Sequence, residues 1–136
     1  MRINMKILEE NMGLTHVKVR IKSLRAENGA FEEEFLVDTG AADSLVPSSE
    51  LRRIGVQSVG KTSYELGNGR VVEFPFGLAE IKFLEEIMAG RVIFGPNNVE
   101  PILGVTALES VAVTVDPATR TVRKLPAIPL KQKRHG

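Results

Sequence analysis

From His16 to Lys22 the chain alternates polar and apolar residues without a break, His16-Val17-Lys18-Val19-Arg20-Ile21-Lys22. A period of two sends successive side chains to opposite faces, so this stretch is a strand with one wet and one buried face, and its wet face includes His16. Asn28-Gly29 follows, a pair that tolerates positive φ and marks a hairpin. Residues 32–37, polar first and apolar at the end, are the return strand. Further β-rich runs at 58–66, 70–83, 90–94, 111–115 and 121–125 are punctuated by Gly67-Asn68-Gly69, Gly95-Pro96-Asn97-Asn98 and Asp116-Pro117. Two short helices fit between them. Ser48 or Ser49 caps the first, with Gly55 as its stop, and the second runs over 105–110 just after Gly104. Helices this short form only when docked on a sheet. The fold class is therefore all-β, or mainly β: a closed or partly closed barrel with one or two short helices.

A chain of 136 residues is enough for one core and too short for two. With no cysteine, it has no disulfide scaffold, no thiol nucleophile and no cysteine-ligated metal, and it suits a reducing compartment. It contains no continuous apolar run of the length a signal peptide or a membrane helix requires, which makes a cytoplasmic location the simplest expectation. Charge is unevenly spread. After Asp116 come Arg120, Arg123, Lys124, Lys131, Lys133 and Arg134 and no acid, leaving residues 1–116 with twelve basic against 17 acidic groups, a formal −5. The chain divides into an N-terminal extension (1–14), a β domain (15–125) and a basic C-terminal tail (126–136). A basic end on an acidic body raises nucleic-acid binding as one reading. No aromatic residue follows Phe94, however, so the tail has no ring on which a base could stack.

Elimination narrows the chemistry. The two histidines, His16 on the alternating strand and His135 in the tail, sit in contexts that support neither a Ser-His-Asp relay nor a two-histidine metal site. No glycine-rich loop ends in Lys-Ser or Lys-Thr, so a P-loop is excluded. Of the three aspartates, Asp116 stands before Pro117 and reads as a turn. Asp38 is different. Phe35-Leu36-Val37 run apolar straight into Asp38-Thr39-Gly40-Ala41-Ala42, so a strand delivers a carboxylate to its own buried end. An ionised group there is costly unless it is hydrogen-bonded or shares its charge. Thr39 and Gly40 supply a hydroxyl and backbone N–H groups open to close approach. By composition alone an Asp-Thr-Gly tripeptide is expected in about one or two chains per hundred of this length.

Two further segments accompany it. Tyr64-Glu65-Leu66-Gly67-Asn68-Gly69-Arg70-Val71-Val72 is a hairpin with a glycine-rich tip, and Pro101-Ile102-Leu103-Gly104 leads into the second helix. In this order the three segments resemble the retropepsin-like aspartic proteases, with their Asp-Thr-Gly loop, flap hairpin and Ile-Leu-Gly segment, over roughly residues 15–125.

The resemblance implies a retropepsin-like barrel carrying one Asp-Thr-Gly per chain, and hence an obligate homodimer in which a two-fold axis sets Asp38 opposite its own copy. It implies an aspartic endopeptidase with Asp38, Thr39 and Gly40 as the catalytic motif and Thr39 hydrogen-bonding across the dimer. Leu66, Gly67, Asn68 and Gly69 would form the flap tip over an extended peptide or unfolded protein substrate, and Ala41 and Asp43 would line the cleft floor. Asp43 would either meet a substrate backbone amide or cap a local turn. No metal, no cofactor, no nucleic acid and no membrane partner is expected. Viral members often carry a second Asp four residues after the catalytic one, paired with an Arg just after the Ile-Leu-Gly glycine. Here those positions hold Ala42 and Val105. Both charges are missing together, a change that packed apolar groups can absorb. It also leaves room for a second reading, a non-catalytic barrel of the same fold that binds peptides.

Overall fold

The alternating segment becomes β3 (Thr15–Ser23), with Val19 and Ile21 fully buried and Lys18 and Arg20 on the wet face. In the computed structural model, residues 2–4, 6–7, 15–25, 27–116, 118–119 and 121–126 are described. β3 turns back into β4 (Ala30–Asp38), antiparallel to it with Lys22 opposite Ala30 and Thr15 opposite Val37. The hairpin is therefore present, but its connection is a longer loop in which Gly29 has φ +85°. His16, expected on the wet face, is instead buried. The short strand β2 (Lys6–Ile7) pairs beside it in the sheet, and the Glu100 carboxylate meets its ring Nε2 at 2.7 Å.

The remaining elements are β5 (Ser44–Pro47), α1 (Ser48–Arg53), β6 (Gly60–Glu65), β7 (Val71–Phe83), β8 (Glu86–Gly95), β9 (Ile102–Gly104), α2 (Val105–Ser110), β10 (Val113–Asp116) and β11 (Thr121–Lys124). The large sheet runs β2-β3-β4-β9-β5-β8-β7-β6, and an added β3–β7 pairing closes its six central strands into a barrel. β2 and β6 extend the sheet outside the closed ring. A second sheet of order β1-β11-β10 includes β1 (Arg2–Asn4), so residues from the segment set apart as an extension pair with the body. An ion pair between Lys124 and Glu86 fastens this small sheet to the barrel. The tail beyond residue 126, and with it His135, lies outside the described residues.

Phe35, Val46, Leu51, Ile81, Leu103 and Leu108 fill the barrel from six different elements, each within 2% of complete burial. Burial of this kind contributes roughly 1.5–3 kcal/mol per large apolar side chain. It also explains why two six-residue helices persist: α1 buries Leu51 and α2 buries Ala107 and Leu108. The serine caps expected for α1 are not used. Pro47 occupies the cap position, and the Ser48 hydroxyl donates to the Gly95 carbonyl. Gly55 does end the helix, at φ +87°. No helix among the described residues is long and apolar enough to cross a membrane.

Candidate active site

The placement of Asp38 follows from one unusual pairing. β9 lies between β4 and β5, parallel to β4 with Val37 opposite Leu103 and Asp38 opposite Gly104, and antiparallel to β5 at Leu45–Ile102. Since β4 and β5 are consecutive in the chain, the loop joining them must arch over the end of β9. That loop is 39–43. Its carbonyls accept from the N–H groups at the start of α2. The Val105 N–H donates to the Ala41 carbonyl at 2.8 Å and the Thr106 N–H to the Ala42 carbonyl at 3.1 Å. The Gly104 N–H donates to the buried Ser44 hydroxyl at 3.1 Å.

Gly104 has no alternative here. A Cβ would fall 2.6 Å from the Asp43 carbonyl carbon and 2.9 Å from the Ala42 carbonyl oxygen, both backbone atoms with nowhere to go. The two positions that lack the viral charge pair, Ala42 and Val105, each take part in a main-chain bond across this junction, Ala42 accepting from Thr106 and Val105 donating to Ala41.

Within the arch the Asp38 carboxylate, half-buried at the strand end, accepts the Gly40 N–H at 2.9 Å, while the Ala41 N–H donates to the Asp38 carbonyl at 3.1 Å. Thr39 and Gly40 form an exposed turn, and a Cβ on Gly40 would meet Asp38 Oδ1 at 3.2 Å. The carboxylate therefore presents one oxygen to a local amide and stands at the surface beside a loop whose path is set by main-chain bonds. Such an arrangement can hold a proton or a water in a fixed direction.

The 60–76 hairpin is built differently. β6 is an outer strand whose sheet partner among the described residues is β7 alone, from Gly60 opposite Phe76 to Glu65 opposite Val71. Its tip is the exposed loop 66–70, closed by the Leu66 N–H to the Arg70 carbonyl at 2.7 Å and by the Asn68 side chain accepting the Arg70 N–H at 3.0 Å. Gly69 has φ +84°, a conformation that favours glycine. Among the described residues, no hydrogen bond joins the tip residues Leu66, Gly67, Asn68 and Gly69 to the Asp38 loop.

The link between hairpin and loop lies lower. The Tyr64 hydroxyl donates to Asp43 Oδ2 at 2.7 Å, and Arg91 of β8 stands 3.9 Å from the same oxygen. Among the described residues, no local backbone amide donates to the Asp43 side chain. Arg91 also donates to the Thr62 hydroxyl at 3.0 Å and lies over the Phe76 ring, 4.0 Å from its centroid. Burial, followed by the hydrogen bond to Asp43, pushes the Tyr64 phenol above its ordinary value, and Arg91 partly offsets this. Tyr64 and Arg91 were not among the site residues read from the sequence. Tyr64 is the only tyrosine of the chain, but nothing local marks it as a partner of Asp43.

Residues 17–110 match the sequence family described as "gag-polyprotein putative aspartyl protease". That span runs from β3 through α2 and includes the Asp38 arch, the hairpin and β9. The chain belongs to this family. Its fold is accordingly retropepsin-like, with the six-stranded barrel and two short helices described above. At the coarse level the chain is an aspartyl-protease homologue, a protein of hydrolase ancestry. No curated protein matches it. Among the described residues, no cluster of three or more His, Asp or Glu side chains is placed to hold a metal ion.

Proposed function

We propose that the protein is an aspartic endopeptidase that acts as a homodimer, each protomer contributing one Asp38. The observation that carries this reading is the Asp38 carboxylate held at the end of β4 by a main-chain arch within the family match. With one such carboxylate per chain, a two-fold axis is the economical way to supply a pair. Two carboxylates a few ångströms apart do not both ionise, so they share a proton, as aspartic proteases do as a class. The ionised member takes a proton from water as that water attacks the peptide carbonyl, and the protonated member donates to the carbonyl oxygen. The tetrahedral intermediate then collapses: the C–N bond breaks as the Asp38 that took the proton from water gives it to the leaving nitrogen. The other Asp38 takes back a proton from one hydroxyl of the intermediate, which restores the shared-proton pair with neither a covalent intermediate nor a cofactor.

In this reading Thr39 bonds across the dimer, and the flap tip, Leu66 to Gly69, closes over an extended peptide and excludes water. Ala41 and Asp43 lie on the cleft floor. The absence of cysteine agrees with a reducing, cytoplasmic setting.

The test is cleavage of a diverse peptide mixture from acid to neutral pH. Wild type is expected to cut with a bell-shaped pH profile, and Asp38→Asn to cut nothing while keeping its thermal midpoint. Full activity in Asp38→Asn would remove Asp38 from the mechanism. Silence from both proteins, with peptide still bound, would favour the non-catalytic peptide-binding barrel.

A further inference from the structure

Among the described residues β6 gains main-chain support from β7 alone, so its attachment to the rest of the barrel depends on side chains. Two side-chain hydrogen bonds cross that gap, and both end on one charged pair. Thr62 accepts from Arg91, and Tyr64 donates to Asp43, whose carboxylate lies beside Arg91. Neither anchor is loose. Arg91 belongs to β8, paired on both sides by β7 and β5, and its guanidinium is seated on the Phe76 ring. Asp43 closes the arch that starts at Asp38, and its backbone carbonyl lies directly against Gly104. Tyr64 is packed against Phe74 across the hairpin, with ring centroids 6.3 Å apart, which aims the hydroxyl inward.

We infer that Tyr64 is a positioning residue: with Arg91 and Asp43 it latches the first strand of the flap to the loop that carries Asp38, so that the flap and the catalytic loop move as one unit. The inference rests on the reading of Asp38 as the catalytic group and adds a regulator of that site. Only side-chain atoms hold the latch, so it can open without breaking a strand pairing. A substrate must enter beneath the flap, and the latch sets how far the flap stands open before it closes. Its loss lowers affinity for the peptide more than it slows the chemical step, because the Asp38 arch keeps its own main-chain bonds.

The chain has one tyrosine and no tryptophan, so near-ultraviolet absorbance reads Tyr64 directly. The charged groups facing the phenol are Asp43 from the loop and Arg91 from β8. Its titration midpoint is expected above the ordinary 10.0 in wild type and in Asp38→Asn, and closer to 10.0 in Asp43→Asn. Because the folded value is raised, the latch's contribution is complete below pH 10.0 and is lost as pH climbs through the folded midpoint.

In peptide cleavage, Tyr64→Phe is expected to raise KM roughly tenfold, the worth of one hydrogen bond to a charged acceptor. kcat should change by no more than about twofold. A wild-type midpoint at 10.0 would overturn the latch. So would a Tyr64→Phe protein whose thermal midpoint falls while KM stays constant, since that marks a purely structural contact. If wild type cuts no peptide, the reading of Asp38 fails rather than the latch, which the titration then decides because it needs no turnover.

Discussion

The arch that holds Asp38 and the hairpin that stands near it are secured by different kinds of bond. The arch is fixed main chain to main chain, through Ala41 and Ala42 to the first turn of α2. The hairpin's outer strand relies on Tyr64, Thr62 and their charged partners. Main-chain bonds are indifferent to most substitutions but intolerant of any change in backbone path. Side-chain bonds are the reverse: each can be removed by one substitution without moving the strand. The molecule thus places its fixed geometry at the loop that carries Asp38 and its adjustable geometry at the outer strand of the neighbouring hairpin.

Gly104 offers the sharpest way to break this contrast. Gly104→Ala sets a methyl group against the Asp43 and Ala42 backbone, and should destabilise the protein by about 3 kcal/mol. Denaturant unfolding measures it; a change under about 0.5 kcal/mol would mean that the arch yields as easily as the hairpin.

A smaller effect is expected at the base of the same region. His16 is 8% exposed, with Nε2 2.7 Å from Glu100 Oε2, and its buried Nδ1 has no hydrogen-bond partner among the described residues. Glu100 directly precedes the segment that becomes β9. Glu100→Ala leaves the ring without its partner and should lower stability by about 1–2 kcal/mol, read as a fall in the thermal midpoint. Were the midpoint unchanged, the side-chain tie beneath the arch would be idle and the arch purely a main-chain construction.

The smallest effect belongs to the flap. A Cβ on Gly67 meets nothing within 4 Å, so Gly67→Ala should change stability by less than about 0.5 kcal/mol. A larger loss would show the tip packed against something in solution and would erase the distinction from Gly104.

Asp38 was legible in the sequence because its local signal is contiguous, an apolar strand end, a carboxylate, then two residues that leave room for a backbone amide, and because the hairpin and the Ile-Leu-Gly segment follow it in order. α2 was legible for the same reason, and the structure gives it the expected bounds, Val105–Ser110. β5 and β9 were not. They are four and three residues long, and the parallel pairing of each is made with a strand remote in sequence, so no local period reveals them.

The β7–β8 hairpin escaped notice because its turn residues, Leu84 and Glu85, adopt φ +51° and +64° without the glycine or asparagine that usually announces such a turn. His16 misled because alternation reports which face a side chain is on, and not whether a residue remote in sequence, here Glu100, meets it there. Tyr64 and Arg91 gained their roles only when the barrel brought β6, β8 and the Asp38 loop together.

The position of β9 has a consequence for how the protein is made. Asp38 is translated early, whereas the strand it is held against ends at Gly104, near the far end of the domain. A nascent chain therefore carries its carboxylate on an unsupported loop while residues 39–104 are made, and the non-local closure that fixes it is among the slow events of folding. Under the endopeptidase function proposed above, that order is a safeguard: until Gly104 is in place the incomplete chain, itself an extended polypeptide, has no formed cleft with which to digest its neighbours.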